Sequence, residues 1–183
     1  EGFVYHMTCR GSRRNTLDKA KNIYEDSPEW LAQNQRSSRN FVRKWGHFVK
    51  HDPLLIPIIP PKYDIGFIVK NCNSQLLELL EPWCSNILID DEMQVLTSHY
   101  VDKEQKNTLF KLDERIKSTP FESLNNEIIV TIDRNTLTQQ DYQIIQQLSE
   151  IIKDSGEIGE FQLGNLFISI IQMNEYQNNL IKL

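Results

Sequence analysis

The residues best suited to chemistry lie near the start of the chain, where a His precedes an Arg-rich loop. His6 lies within a predicted short strand, residues 3–9, and the residues after it read Arg10-Gly11-Ser12-Arg13-Arg14. A neutral imidazole can bind a divalent metal, and forked guanidinium groups suit a diphosphate. The glycine lets the backbone approach a ligand closely. The alternatives are a His bonded to a backbone carbonyl and a solvated basic loop.

A helix is predicted to follow this loop. Residues 10–26 are polar and predict a loop, with a helical turn within it as the alternative. Ser27-Pro28-Glu29 is a typical helix start, and Gly46 is expected just after the helix ends. The helix carries aromatic residues for packing, and its basic residues are expected to spread over the remaining surface: Arg36, Arg39, Arg43 and Lys44. The spacings of three and four residues between these basic residues also fit nucleic-acid binding. The net negative charge of the chain and the lack of a motif that reads DNA or RNA disfavour that function.

Four prolines in residues 52–62 predict an extended connector, because proline cannot donate to a helix or sheet ladder. The charge changes sign there. Residues 1–62 hold eleven Lys and Arg against six Asp and Glu, a net charge of +5, whereas residues 63–183 carry −10. We therefore predict a first part at 1–52, a Pro-rich connector at 53–62 and a separate domain at 63–183.

Residues 63–183 alternate between strand and helix patterns. Strands are predicted at 63–69, 86–89, 127–132 and within 161–173, with a further candidate at 109–112, and helices at 74–81 and from Thr138 to about Lys153. This alternation predicts the α/β class, as a small, mostly parallel sheet with flanking helices. Asp90, Asp91 and Asp133 follow predicted strands; turn and cap roles are favoured over ribose or metal binding, since no Gly-rich fingerprint accompanies them.

Composition places the chain among ordinary globular proteins, with 39% hydrophobic and 25% charged residues in 183. The sequence contains no run of 18 apolar residues, so no membrane span is predicted. The three cysteines include no CxxC pair, so reduced thiols and a cytoplasmic location are expected, with a Cys72–Cys84 disulfide as the alternative. The chain starts without Met, on what reads as a strand already under way. We therefore expect a segment of a longer protein.

Residues 3–52 resemble the C-terminal part of the catalytic domain of inverting, nucleotide-sugar-dependent glycosyltransferases with the A-type fold. The likeness rests on the strand Val4-Tyr5-His6, the loop Arg10-Gly11-Ser12 and the helix end Asn40-Phe41-Val42-Arg43-Lys44-Trp45-Gly46. The resemblance implies that residues 1–52 are a strand–loop–helix remnant of a larger domain. That domain's nucleotide-binding strands and Asp-x-Asp motif, together with its catalytic base, would precede this segment.

The resemblance also implies roles for individual residues. His6 would help to hold a divalent metal, Mn or Mg, and Arg10, Ser12 and Arg13 would bind the diphosphate. The partners implied are a nucleotide-sugar donor and a glycan or other acceptor, and oligomerisation is left open. This segment alone is not expected to catalyse transfer, and residues 63–183 would be an accessory domain. The alternative function is a non-catalytic interaction module with a basic docking arm.

Overall fold

In this computed structural model, the described part of the chain comprises the backbone of residues 16–18 and 23–25 and, in full, residues 28–119 and 123–174. The chain divides into two compact units, Glu1–Arg39 and Asn40–Leu183. The end of the first helix and the Pro-rich segment therefore group with the α/β domain. The predicted division into residues 1–52, a connector at 53–62 and a domain at 63–183 stays a prediction.

In the first unit, a pair of short strands lies where the sequence predicts a loop. Strand β1 (Thr16–Asp18) pairs antiparallel with β2 (Ile23–Glu25), with Leu17 opposite Tyr24. Each strand carries an apolar residue at its centre. The segment is polar on average, so its composition did not indicate these two short strands. The prediction of a plain loop is wrong at these residues.

Helix α1 (Pro28–Trp45) has the predicted bounds. Pro28 begins it, where the missing amide donor is not needed, and Glu29 places a negative charge near the positive end of the helix dipole. Gly46 follows with φ of +78°, and its amide donates to the carbonyl of Val42 over 2.7 Å. Glycine suits this position because a side chain would be strained in the left-handed region.

The Pro-rich segment forms a small hairpin rather than a plain connector. Strand β3 (Lys50–His51) pairs antiparallel with β4 (Pro57–Ile58). Between them, Asp52 Oδ1 accepts hydrogen bonds from the amides of Leu54 and Ile56 over 2.9 and 2.8 Å. One carboxylate thus organises the turn. We call residues 48–59 the apolar hairpin.

The second unit is built on a six-stranded mixed sheet, counted over the described residues. Its strands are β5 (Ile65–Lys70), β6 (Asn86–Ile89), β7 (Ile116–Ser118), β8 (Ile128–Asp133), β9 (Gly159–Leu163) and β10 (Leu166–Ile170). The order is β7-β6-β5-β8-β10-β9. The first four strands run parallel, whereas β10 is antiparallel to both β8 and β9. The α/β class is confirmed, but the predominantly parallel sheet is not.

The antiparallel part arises because the predicted final strand region is a hairpin. Its turn lies at Gly164, with φ of +59°, and Asn165. The carboxylate of Asp141 accepts from the Asn165 amide over 3.0 Å and from its side chain over 2.9 Å. These bonds hold the reversal against the start of the last helix.

The helices of the second unit connect the strands. They are α2 (Ser74–Leu80), α3 (Val95–Glu104), α4 (Leu112–Arg115) and α5 (Gln139–Ser155), with 3₁₀ turns at Glu81–Trp83 and Gln105–Asn107. Asn73 caps α2, and Thr138 forms a capping box with Asp141 at the start of α5, as predicted for Thr138. None of the helices in the described ranges is long and apolar enough to cross a membrane.

The candidate strand at 109–112 is wrong. Leu109 is fully exposed, and Gln105 binds the backbone around it: its Nε2 donates to the carbonyl of Phe110 over 2.9 Å and its Oε1 accepts from the amide of Leu112 over 2.9 Å. The side chain of Gln105 thus binds backbone groups that a strand would use to pair with a neighbouring strand. The chain then continues directly into α4.

One face of the sheet forms the core. Along β8, Ile128, Val130 and Ile132 are fully buried while the residues between them are half-buried, which is the alternation of a strand with one covered face. Phe67 and Val69 of β5 and Ile145 and Leu148 of α5 belong to the same buried cluster. Burial of these side chains is the main force that holds the second unit together.

Candidate functional site

The predicted site residues His6, Arg10, Ser12 and Arg13 lie outside the described residues, as does the predicted strand at 3–9. Their metal-binding and diphosphate-binding roles therefore stay predictions. Within the described residues, no group of three or more His, Cys, Asp or Glu side chains is arranged to hold a metal ion.

A buried charge cluster joins the end of α1 to α3 and to the 3₁₀ turn after α2. Arg43 Nε and Nη2 donate to Glu81 Oε2 over 2.9 and 2.7 Å, and Nη2 lies 3.1 Å from Glu104 Oε1. Tyr100 donates its hydroxyl to Glu81 Oε2 over 3.0 Å. Arg115 approaches from the other side, with Nε donating to Glu81 Oε1 over 2.8 Å. The prediction that Arg43 lies on the helix surface is wrong, since its exposed fraction is 1%.

The electrostatics of this cluster favour its ionised form. Burial alone would lower the pKa of Arg43, but the hydrogen bond and charge of Glu81 outweigh it and raise the pKa above its usual value. Burial and the nearby carboxylates raise the pKa of Tyr100, so its hydroxyl stays a donor. The cluster is enclosed and internally satisfied, which is the arrangement of a structural ion network. Sequence reasoning missed it because its acids lie far from Arg43 along the chain.

The carboxyl ends of β6 and β8 carry the predicted turn and cap carboxylates. Asp90 accepts from the amides of Asn71 and Cys72 over 2.6 and 2.9 Å, and Asp91 accepts from amides at the start of α3. Asp133 accepts from the side chain of Asn71 over 3.0 Å, and hydrogen bonds from the Asn135 amide and Asn71 lower its pKa. The turn and cap roles are confirmed.

The two described cysteines, Cys72 and Cys84, are free thiols, so the alternative disulfide is not formed. Burial raises the pKa of Cys72 to about 12 and also raises that of Cys84. A thiol that resists ionisation is a poor nucleophile. These residues therefore contribute packing rather than chemistry.

One opening beside α1 is an apolar cavity of about 260 Å³. Aromatic side chains of the helix end and aliphatic side chains of the apolar hairpin form most of its wall, including Phe41, Trp45, Val49, Ile58 and Ile59. The rings of Phe41 and Trp45 lie 6.4 Å apart between centroids. Such a lining suits a hydrophobic or aromatic group.

Two polar side chains also line this cavity: Lys50, which forms an ion pair with Glu150, and His47. His47 is 95% buried, its exposed fraction being 5%, and its ring lies edge-on to Phe41, with 6.0 Å between centroids. Its Nδ1 lies 2.6 Å from the carbonyl oxygen of Phe48, whereas Nε2 is buried with no hydrogen-bond partner among the described residues. An unsatisfied buried polar atom costs about 1–3 kcal/mol. Sequence reasoning passed over His47, although a His directly after an aromatic helix end and Gly46 was a usable signal.

The apolar hairpin itself is unusually exposed. Leu54 and Leu55 are 79% and 73% exposed at its turn, and other large apolar side chains continue the surface: Val49, Ile56, Ile58 and Ile59. Contiguous apolar surface of this kind marks a site of association. The cavity and the apolar hairpin together are the candidate site, and their chemistry is that of binding. The chain matches no protein-family model, no curated protein and no solved structure.

Proposed function

We propose that this chain is a fragment of an inverting glycosyltransferase that takes a sugar from a nucleotide-diphosphate donor. Residues 3–52 would be the C-terminal part of its catalytic domain and residues 63–183 an accessory domain. The observation that supports the proposal is the end of α1. The helix stops at Trp45 and Gly46 takes a left-handed φ, which is consistent with a helix end at the motif from Asn40 to Gly46. The acceptor of the sugar is set by the longer protein.

The proposed chemistry is electrostatic. His6 would contribute an imidazole ligand to Mn or Mg, and Arg10, Ser12 and Arg13 would donate to the diphosphate oxygens. A divalent cation held there would supply charge stabilisation for the departing nucleoside diphosphate. These side chains would hold the leaving group, and the base that activates the acceptor would be a carboxylate outside this chain.

The test is His6→Ala in the full-length enzyme, assayed for sugar transfer across a series of Mn²⁺ concentrations. We expect turnover at limiting metal to fall tenfold or more, about 1.4 kcal/mol of barrier, together with weaker Mn²⁺ binding by calorimetry. His99→Ala is the matched control, because His99 is exposed on α3. Unchanged activity and unchanged Mn²⁺ affinity in His6→Ala would count against the assignment.

A further inference from the structure

Strand β9 forms one edge of the six-stranded sheet, and among the described residues its one strand neighbour is β10. It contains no proline or lysine, and its pairing with β10 is continuous, without a bulge. The described chain after β10 turns toward β8 instead, since the amides of Ile171 and Asn174 donate to Glu127. An edge of this kind presents backbone N–H and C=O groups that can pair with a strand of another chain.

The turn between β9 and β10 determines which backbone groups of β9 point outward. A two-residue turn separates Leu163 from its pairing partner Leu166. In such a hairpin the two residues that flank the turn exchange both hydrogen bonds, and bonded and non-bonded residues alternate from there. The backbone N–H and C=O groups of Glu160 and Gln162 therefore point away from β10, toward any strand that adds to this edge.

This alternation restricts how two copies of β9 can pair, because an outward residue forms a ladder only with another outward residue. In an antiparallel pair, the two-fold axis then lies at Glu160, at Phe161 or at Gln162. An axis at Glu160 places two like charges directly opposite each other, which is unfavourable. An axis at Gln162 runs the ladder into the hairpin turn, where Gly164 has a φ of +59°. An axis at Phe161 avoids both problems and places each Glu160 opposite Gln162 of the second copy.

The side chains around an axis at Phe161 also complement one another. Phe161 is half-buried against the core cluster, and it would lie opposite its own counterpart in a non-hydrogen-bonded pair, where side chains are closest and aromatic pairs are favourable. Gly159 would lie opposite Leu163, so that the smallest residue of the strand meets a large one. Glu160 and Gln162 are exposed, and the carboxylate can accept from the amide. The edge is therefore complementary to itself, as a two-fold interface requires.

We propose that two copies of this chain associate through β9, which joins their six-stranded sheets into one continuous sheet about a two-fold axis at Phe161. The inference concerns the second unit and does not depend on transferase activity. Residues 63–183 carry a net charge of −10, so the two copies repel each other, and Glu160 faces its own counterpart diagonally across the axis. The association should therefore be weak and should tighten as added salt screens this repulsion.

The experiment is sedimentation equilibrium of the full chain over a range of protein and salt concentrations. We expect a monomer–dimer equilibrium without larger species, because pairing uses the β9 edge of both copies. Gln162→Glu places a second acid opposite Glu160 in two symmetric pairs and should weaken the dimer roughly 2- to 30-fold. Gln75→Glu is the matched control, since it adds the same charge at an exposed position of α2, between β5 and β6 in the chain. It should leave the dissociation constant within about twofold of the wild type.

An exchange of charges tests the register. The double variant Glu160→Lys/Gln162→Glu places opposite charges across the axis, so it should recover the affinity lost in Gln162→Glu. Both positions are exposed, so these changes leave the packing of the sheet intact. An NMR sample that mixes isotope-labelled and unlabelled chains should also show a contact between the Phe161 α-protons of the two copies, since the Cα atoms of a non-hydrogen-bonded pair lie close together.

Four results would overturn the proposal. The first is a chain that stays monomeric at every concentration up to its solubility limit, and the second is assemblies that grow beyond the dimer. The third is a dimer that Gln162→Glu leaves intact and Leu54→Ser/Leu55→Ser dissociates, which would assign the contact to the apolar hairpin. The fourth is a double variant that binds no more tightly than Gln162→Glu, because Glu160 and Gln162 would then not face each other across the axis.

Discussion

Replacing Arg43 by Met is predicted to destabilise the second unit strongly. The change leaves a side chain of similar length but removes a guanidinium that contacts two buried carboxylates, Glu81 and Glu104. Breaking a buried ion pair from one side costs about 3–5 kcal/mol. Arg115 still offsets Glu81 at 2.8 Å, so the lower end, about 3 kcal/mol, is expected. Glu104 keeps a longer bond, 3.3 Å, from the side chain of Asn107.

The assay is amide hydrogen exchange in the central strands β5 and β8, whose exchange reports unfolding of the second unit. A loss of about 3 kcal/mol accelerates exchange roughly 100-fold or more, since 1.4 kcal/mol is a factor of ten. Arg36→Met on the same helix is the matched control and should change stability by less than about 0.5 kcal/mol.

A double variant separates the loss of a hydrogen bond from the cost of an unpaired buried charge. In Arg43→Met/Glu104→Gln, the carboxylate of Glu104 is replaced by a neutral amide that needs no cation. The free energy of unfolding should therefore be about 1–2 kcal/mol higher than that of Arg43→Met. Exchange in Arg43→Met within tenfold of the wild type would refute the reasoning. So would a double variant no more stable than Arg43→Met, because the cost would then not come from buried charge.

Three further changes test other parts of the second unit. Burial, and then the charge of Arg115, lower the pKa of Lys62 to about 8 from 10.5. Between these pH values the unfolded chain binds more protons than the folded chain. The stability of the wild type relative to Lys62→Met, measured by urea titration, should therefore rise with pH from about 8 to 10.5. Gly66→Ala should cost about 1–3 kcal/mol by thermal unfolding, because the new Cβ would lie 2.5 Å from Asn126 Oδ1; an unchanged midpoint would mean that Asn126 moves freely. Thr138→Ala removes one half of a capping box and should cost about 0.5–2 kcal/mol, with Thr138→Ser retaining most of the stability in the same denaturant series.

Local signals allowed much of the helix pattern to be predicted. Pro28 and Gly46 mark the two ends of α1, and Thr138 and Gly156 mark the two ends of α5. Each of these residues acts on backbone groups within one turn of itself. The strand β8 was equally clear from its run of β-branched residues. These features depend on neighbours in sequence and are therefore visible before folding.

The direction of the last strands was missed although a local signal for it exists. Gly164-Asn165 separates two runs within 161–173, which is the pattern of a two-residue hairpin turn. Asp141, 24 residues before Asn165, accepts hydrogen bonds from it in the folded chain. The candidate site was missed for a different reason. His47 and the hairpin residue Ile58 line one cavity only after the chain reverses at Asp52.

The amino-acid order alone determined where α1, α2 and α5 lie, the extended runs at β5, β6 and β8, and the α/β class, since caps, proline and apolar periodicity act over a few residues. Tertiary structure alone decided that Arg43 is buried, because its acids lie 38 and 61 residues away. It also decided that Nε2 of His47 is buried with no hydrogen-bond partner among the described residues. A charge or a polar atom changes its energy with the dielectric around it, and that dielectric exists only once distant segments have packed together.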